Sequence, residues 1–184
     1  MKNKDAFMKK VIRKGVFETN SSSVHAIVIP KKDVEIPEGK IDIYIPYPMY
    51  FGWEIDKYVS FRDKIGYLLI IAYYWANENE KNPINEIYGI IEKLKNEFNI
   101  NVEISYNIKI DIDGWETGLG TVDHVNESFI FYETIMNNNN LLSRYLFGGT
   151  IYTNNDGNDY FNEWIDRMNN FAQSGENDVF IKEN

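Results

Sequence analysis

The chain has 184 residues, no cysteine, 43% hydrophobic and 15% aromatic side chains, and a formal net charge of −9 at pH 7. That length suits one domain, residues 1–184 with 1–10 frayed, able to bury roughly 70% of the surface its unfolded chain exposes. The lack of cysteine excludes disulfides, thiolate metal sites and a cysteine nucleophile, and fits a cytoplasmic protein.

The amino-terminal lysines have no apolar segment of about 7–15 residues behind them, so no signal peptide is expected. The longest apolar run, Tyr67 to Ala76, falls well short of the ~20 residues a membrane span needs. Charge is uneven. Residues 1–40 carry nine Lys/Arg against five Asp/Glu, whereas residues 111–184 carry three against 13, a net of −10. Such a field repels free nucleic acid and attracts basic surfaces, including nucleic-acid-binding grooves of other proteins. Solubility alone accounts for it equally well.

The first patterned stretch is Arg13 to Ile29. An apolar-leaning run, Val11 to Phe17, and an alternating one, Val24 to Ile29, flank the polar hexapeptide Glu18 to Ser23, the pattern of two strands joined by a loop. Lys40 to Pro46 predicts a strand with Ile41, Ile43 and Ile45 on one face. Tyr47 to Trp53 is aromatic but broken by Pro48 and Gly52, and is expected to be a loop. Ser60 reads as an N-cap, with Asp63 in the capping-box position, for a core helix over Phe61 to Asn79 that is apolar nearly all round. Asn82-Pro83 opens a second helix to about Phe98, lined by Ile84, Ile87, Tyr88, Ile91, Leu94 and Phe98.

Ile100 to Ile112 alternates strictly and predicts a long strand. Asp113 to Asn126 reads as a glycine-bearing loop. Helical patterns follow at Glu127 to Met136 and Leu141 to Phe147, then a short strand at Thr150 to Thr153. A polar turn covers Asn154 to Asn158, and a helix capped by Asp159 turns Phe161, Trp164, Ile165, Met168 and Phe171 inward. Val179 to Ile181 suggests an edge strand. The expected fold is α+β: a mixed or antiparallel sheet with three to four helices packed against it.

Several groups could carry chemistry. The Glu18–Ser23 loop can present hydroxyls, amides and backbone N–H groups to an anion or a partner, or spend them on its own backbone. It lacks the glycine elbow of a nucleophilic serine. His25 follows that loop, and His124 follows Asp123. If the fold joins them, Glu18, Ser22, His25, Asp123 and His124 form a set able to move protons. Neither histidine has a zinc-type spacing, and no cofactor or resident metal is implied. Thr153 to Asp159 mimics the start of an EF-hand loop, but Gly157 comes early and the twelfth-position glutamate is missing, which favours a turn. The Tyr47–Trp53 aromatics lack the basic neighbours of a nucleic-acid surface and suit a protein contact or core lining.

The residues Arg13, Gly15, Val16, Phe17, Glu18, Thr19, Asn20, Ser21, Ser22, Ser23 and His25 match an Arg-x-Gly-Val-Phe-Glu-Thr-Asn-Ser-Ser-Ser-x-His motif. In this the chain resembles a family of bacteriophage and mobile-element proteins of Gram-positive hosts. Asp123-His124 is similar to a downstream pair in that family. Thr153 to Asp156 is similar to its late Thr-Gly-Asn-Asp segment, with Asn154 in place of the glycine. The resemblance covers under a tenth of the chain and implies a phage accessory protein, with no particular reaction.

Combined with the carboxyl-terminal acidity, it leads to the expectation of an anti-defence inhibitor, anti-CRISPR-like and DNA-mimicking. Such a protein would bind a host effector nuclease through Glu116, Asp156, Asp159, Glu163 and Asp166, without direct nucleic-acid or membrane contact. A homo-oligomer is left open. The competing expectation is an enzyme, a hydrolase or nucleotide-modifying activity, built on the Glu18–His25 loop with Asp123 and His124.

Overall fold

A computed structural model describes residues 23–52, 56–105, 119–122, 128–155 and 160–181. Among them the chain forms β1 (Ser23–Pro30), β2 (Ile41–Ile45), β3 (Met49–Phe51), β4 (Asp56–Tyr58), α1 (Phe61–Glu78), α2 (Pro83–Phe98) and β5 (Ile100–Ile104). It continues with β6 (Gly120–Val122), α3 (Phe129–Met136), α4 (Asn139–Gly148), β7 (Thr150–Asn155), α5 (Phe161–Gln173) and β8 (Asn177–Ile181). The α+β class is as expected, with five helices in place of three or four.

Helix α1 is the hub. Ser60 accepts the Asp63 amide and donates its hydroxyl to the same side chain, closing the cap. From Lys64 to Tyr73 every residue is buried, because α2, α3, α4 and strands β2, β3 and β6 pack around it. Each fully buried Leu or Ile there contributes roughly 1.5–3 kcal/mol. Asn82 caps α2 by accepting the amides of Ile84 and Asn85, with Pro83 in the first turn. The inner face of α2 runs through Ile87, Ile90, Leu94 and Phe98, so the expected stripe is rotated: Ile90 is inside and Tyr88 is exposed. The reason is that the α1–α2 contact follows the i, i+3, i+7 row from Ile87.

The main sheet is antiparallel in the order β4-β7-β1-β8. Ile27 and Ile29 of β1 join the core around α1, whereas Val24, Ala26 and Val28 join a second core with Trp164 and Met168 of α5. The sheet is therefore covered on both faces, which explains the nearly unbroken apolar run of its central strand. Ala26 to Val28 is paired with β7 on one side and β8 on the other. Residues 11–17, expected to form a hairpin with this strand, lie outside the described residues.

Two short parallel ladders, β2–β5 and β3–β6, lie against α1 and α2. They correct two loop expectations. Met49–Phe51 and Gly120–Val122 are strands, too short to show a period. The expected strand from Ile100 is observed to Ile104, and 106–112 lies outside the described residues. Asn154 and Asn155, expected in a turn, extend β7, because the β1 register continues to Ser23↔Asn155. Tyr160 is the N-cap of α5 and makes no side-chain cap bond, and Asp159 lies outside the described residues. Val179 to Ile181 does form the edge strand expected of it, within β8.

Gly120 shows how close the ladders lie. At φ +107° a Cβ there would sit 1.6 Å from the Met49 carbonyl oxygen, a backbone atom. In α1, a Cβ on Gly66 would meet side chain rather than backbone, the unbranched thioether of Met49 at 2.3 Å. Gly120→Ala is expected to cost about 3 kcal/mol or more. Gly66→Ala should stay within about 1 kcal/mol of wild type, since helix propensity offsets the repacking of Met49. Denaturant midpoints of the two variants check this, and equal losses would contradict it.

Candidate functional site

Tertiary structure gathers polar side chains at one end of the main sheet, where β1 and β4 begin and β7 ends. The register sets Thr153 opposite His25 on one side and opposite Asp56 on the other. His25 and Thr153, directly opposed, share the face toward α1, and both are buried, His25 to 1% exposure. Tyr67 reaches His25 from α1. Its Oη lies 3.1 Å from His25 Nδ1 and 3.4 Å from Oγ of Ser128, the residue before α3. The His25 and Tyr67 rings are tilted at 45° with centroids 5.9 Å apart.

Burial pushes the Tyr67 phenol well above its ordinary range, against a smaller lowering by Ser128, so it stays protonated. With one proton to give, Tyr67 orders the three atoms in a single direction: Ser128 to Tyr67 to His25, or the reverse. Such a chain can hold or pass a proton while keeping every member satisfied.

A second buried polar group lies one turn earlier on α1. Lys64 is 3% exposed, donates from Nζ to the Gly149 carbonyl at 3.3 Å, and lies 5.3 Å from the Phe61 ring centroid. Tyr145 donates to the Lys64 carbonyl at 2.8 Å. Burial pushes the Lys64 amine down to about 8, with the Asp63 charge acting weakly the other way. Burial, with the Tyr67 and Asp63 oxygens adding to it, pushes the Tyr145 phenol far up.

Of the sequence-predicted candidates, His25 enters this cluster as a core side chain. Glu18, Ser22, Asp123 and His124 lie outside the described residues, as do Glu116, Asp156 and Asp159. Glu163 and Asp166 stand exposed on α5, opposite Trp164 and Met168. Neither carboxylate engages a partner. The Arg167 guanidinium, next after Asp166, lies over Tyr152 and Phe171, 5.2 and 5.7 Å from their centroids.

Sequence reasoning passed over Tyr67, Ser128 and Lys64, and took Thr153 only as the start of a polar turn. None of the three left a signal, since Lys64 reads as the last of the charged triplet Arg62-Asp63-Lys64 in the first turn of the helix. Among the described residues no group of three or more His, Asp or Glu could hold a metal ion, and no helix is long and apolar enough to cross a membrane.

Two measurements test the cluster. Tyr67→Phe removes the oxygen shared by His25 and Ser128 and should cost about 1–3 kcal/mol, read as a lowered denaturant midpoint. The second is pH dependence. The folded Lys64 value, about 8, is below its ordinary 10.5. The unfolded chain thus binds more protons between those values, and stability rises with pH across them, on the order of 2 kcal/mol by pH 10. Tyr67, Tyr132 and Tyr145 have raised folded values, so the stability they contribute is lost as pH climbs past about 10. The midpoint should therefore peak near pH 10, and Lys64→Met should flatten the rise. A wild-type midpoint that only falls from pH 7 upward would refute the assignment.

Comparison with protein-family models, with curated proteins and with solved structures finds no match to this chain.

Proposed function

We propose that the protein is a binding protein of the anti-defence type, whose acidic surface occupies a basic groove on a host effector nuclease of the CRISPR kind. One observation carries the reading. Glu163 and Asp166 stand solvent-exposed and unpaired on the outer face of α5, whereas the candidate catalytic histidine, His25, is sealed in the core. A carboxylate pair one turn apart, held by a helix anchored through Trp164 and Met168, presents fixed negative charge at the spacing of a helix turn. The net of −10 over residues 111–184 extends that field, which attracts a lysine- and arginine-lined surface and speeds encounter with it. Mimicry of a nucleic-acid backbone needs no more chemistry than this.

A second reading is an enzyme, a hydrolase or nucleotide-modifying activity drawing on Glu18, Ser22, His25, Asp123 and His124. The His25–Tyr67–Ser128 chain favours it, because Ser128 stands four residues after His124 in sequence.

The deciding experiment mixes the purified protein with CRISPR effector nucleases and follows complex formation and DNA cleavage. Wild type is expected to bind and to slow cleavage. Glu163→Lys with Asp166→Lys should weaken binding at least tenfold at physiological salt, since two charges change sign and the net charge moves by four units. Binding and inhibition that ignore the reversal, or no binding at all, would remove the acidic-surface reading. Turnover of a nucleotide panel that disappears in folded Tyr67→Phe would instead establish the enzyme.

A further inference from the structure

The β2–β5 and β3–β6 ladders break a general rule. Parallel strands are normally covered on both faces, and a two-stranded pair is marginal without such cover. Here, among the described residues, only the inner face is covered. Ile45, Met49, Phe51, Ile100, Val102 and Val122 point into the core around α1. The outer positions of the same strands carry Tyr44, 53% exposed, and Tyr50, 59% exposed. Between them in the chain Tyr47 is 55% exposed. Three large aromatic side chains bare to solvent within seven residues are the composition of a contact surface, since tyrosine supplies large rigid area at low entropic cost.

The charges around the tyrosines indicate what would cover them. Lys40 is held by Asp42 at 2.6 Å, and Asp42 also accepts from Asn101. The Arg62 guanidinium lies 5.8 Å from the Tyr47 ring centroid, with its Nε 3.7 Å from Asp63. On the four strands themselves the remaining charge is Glu103, which is opposite Tyr44 in the register, exposed and without a partner among the described residues. The uncommitted groups of these strands are thus the Tyr44 and Tyr50 rings and one carboxylate, a pairing complementary to a guanidinium and not to a second copy of the same strands. Arg62 against Tyr47 shows the contact already made once within the chain. Arginine stacks on aromatic rings through its planar, weakly hydrated head, which the compact ammonium of lysine does less well.

We propose that the solvent side of the β2–β3 segment, formed by Tyr44, Tyr47 and Tyr50 beside Glu103, docks an arginine-bearing segment of a partner protein. This rests on the binding-protein reading above and adds a second contact, chemically distinct from the α5 carboxylates.

Fluorescent deca-arginine and deca-lysine peptides serve as probes, with affinities measured by anisotropy at low salt. Wild type should prefer deca-arginine about tenfold, as two further exposed stacking contacts are each worth roughly two- to fivefold. Tyr44→Ala with Tyr50→Ala should bring the preference to near unity. Tyr44→Phe with Tyr50→Phe should retain it, because the ring and not the hydroxyl carries the contact. Glu163→Lys with Asp166→Lys should weaken both peptides alike and leave the ratio unchanged. Equal binding of the two peptides by wild type, or a preference that survives loss of both rings, overturns this proposal while leaving the acidic-surface reading standing. A preference that depends on the rings, with affinities indifferent to the α5 reversal, supports this surface and removes α5 as a contact. No binding of either peptide removes both.

Discussion

The structure depends on one constraint: α1 is buried on nearly every side. A helix surrounded by other elements cannot turn its polar groups to water, so each must find a partner inside. Lys64 reaches the carbonyl that ends α4, Tyr67 reaches His25 and Ser128, and Tyr145 returns a hydroxyl to the Lys64 carbonyl. Farther along, Trp75 donates from Nε1 to Glu133 at 2.9 Å, and Lys81 sits 4.0 Å from the Trp75 ring centroid. These bonds tie β1, α3, α4 and the start of β7 to a single axis. Satisfied polar networks of this kind specify a core arrangement that apolar packing by itself leaves degenerate.

That constraint also gives the histidine of the amino-terminal motif its role in the fold. β1 lies between β7 and β8 and between two cores, so every one of its side chains from Val24 to Ile29 is buried. A histidine there acts first as a hydrogen-bonding core residue. Its contact with Tyr67 links residues 42 apart in sequence and seats the start of the central strand on the central helix.

The surface follows a different logic from the core. α5 and the β2–β3 segment are each pinned by apolar side chains on one face, and each shows solvent a face with little internal use for its groups. Rigid backing with uncommitted outer groups is what a binding surface requires, because little entropy remains to be lost on association. Among the described residues the polar groups of the interior are committed to one another, and these two outer faces are not.

Sequence by itself determined the elements with strong periods or caps. The Ser60 and Asn82 caps, the long apolar α1, the alternation of β2 and the amphipathic α5 all follow from local spacing, and each is where local physics places it. The exposure of Glu163 and Asp166 was legible for the same reason, as the complement of the Trp164–Met168 stripe. Tertiary structure alone decided the rest. Three-residue strands such as β3 and β6 have no period to read, and their pairing is set by α1 packing beneath them. The rotated face of α2 depends on which row α1 offers. The meeting of His25, Tyr67, Ser128 and Thr153 depends on strand order and helix docking, which bring together residues more than a hundred positions apart. No local spacing encodes such a meeting, because the energy that creates it is the burial of α1 as a whole.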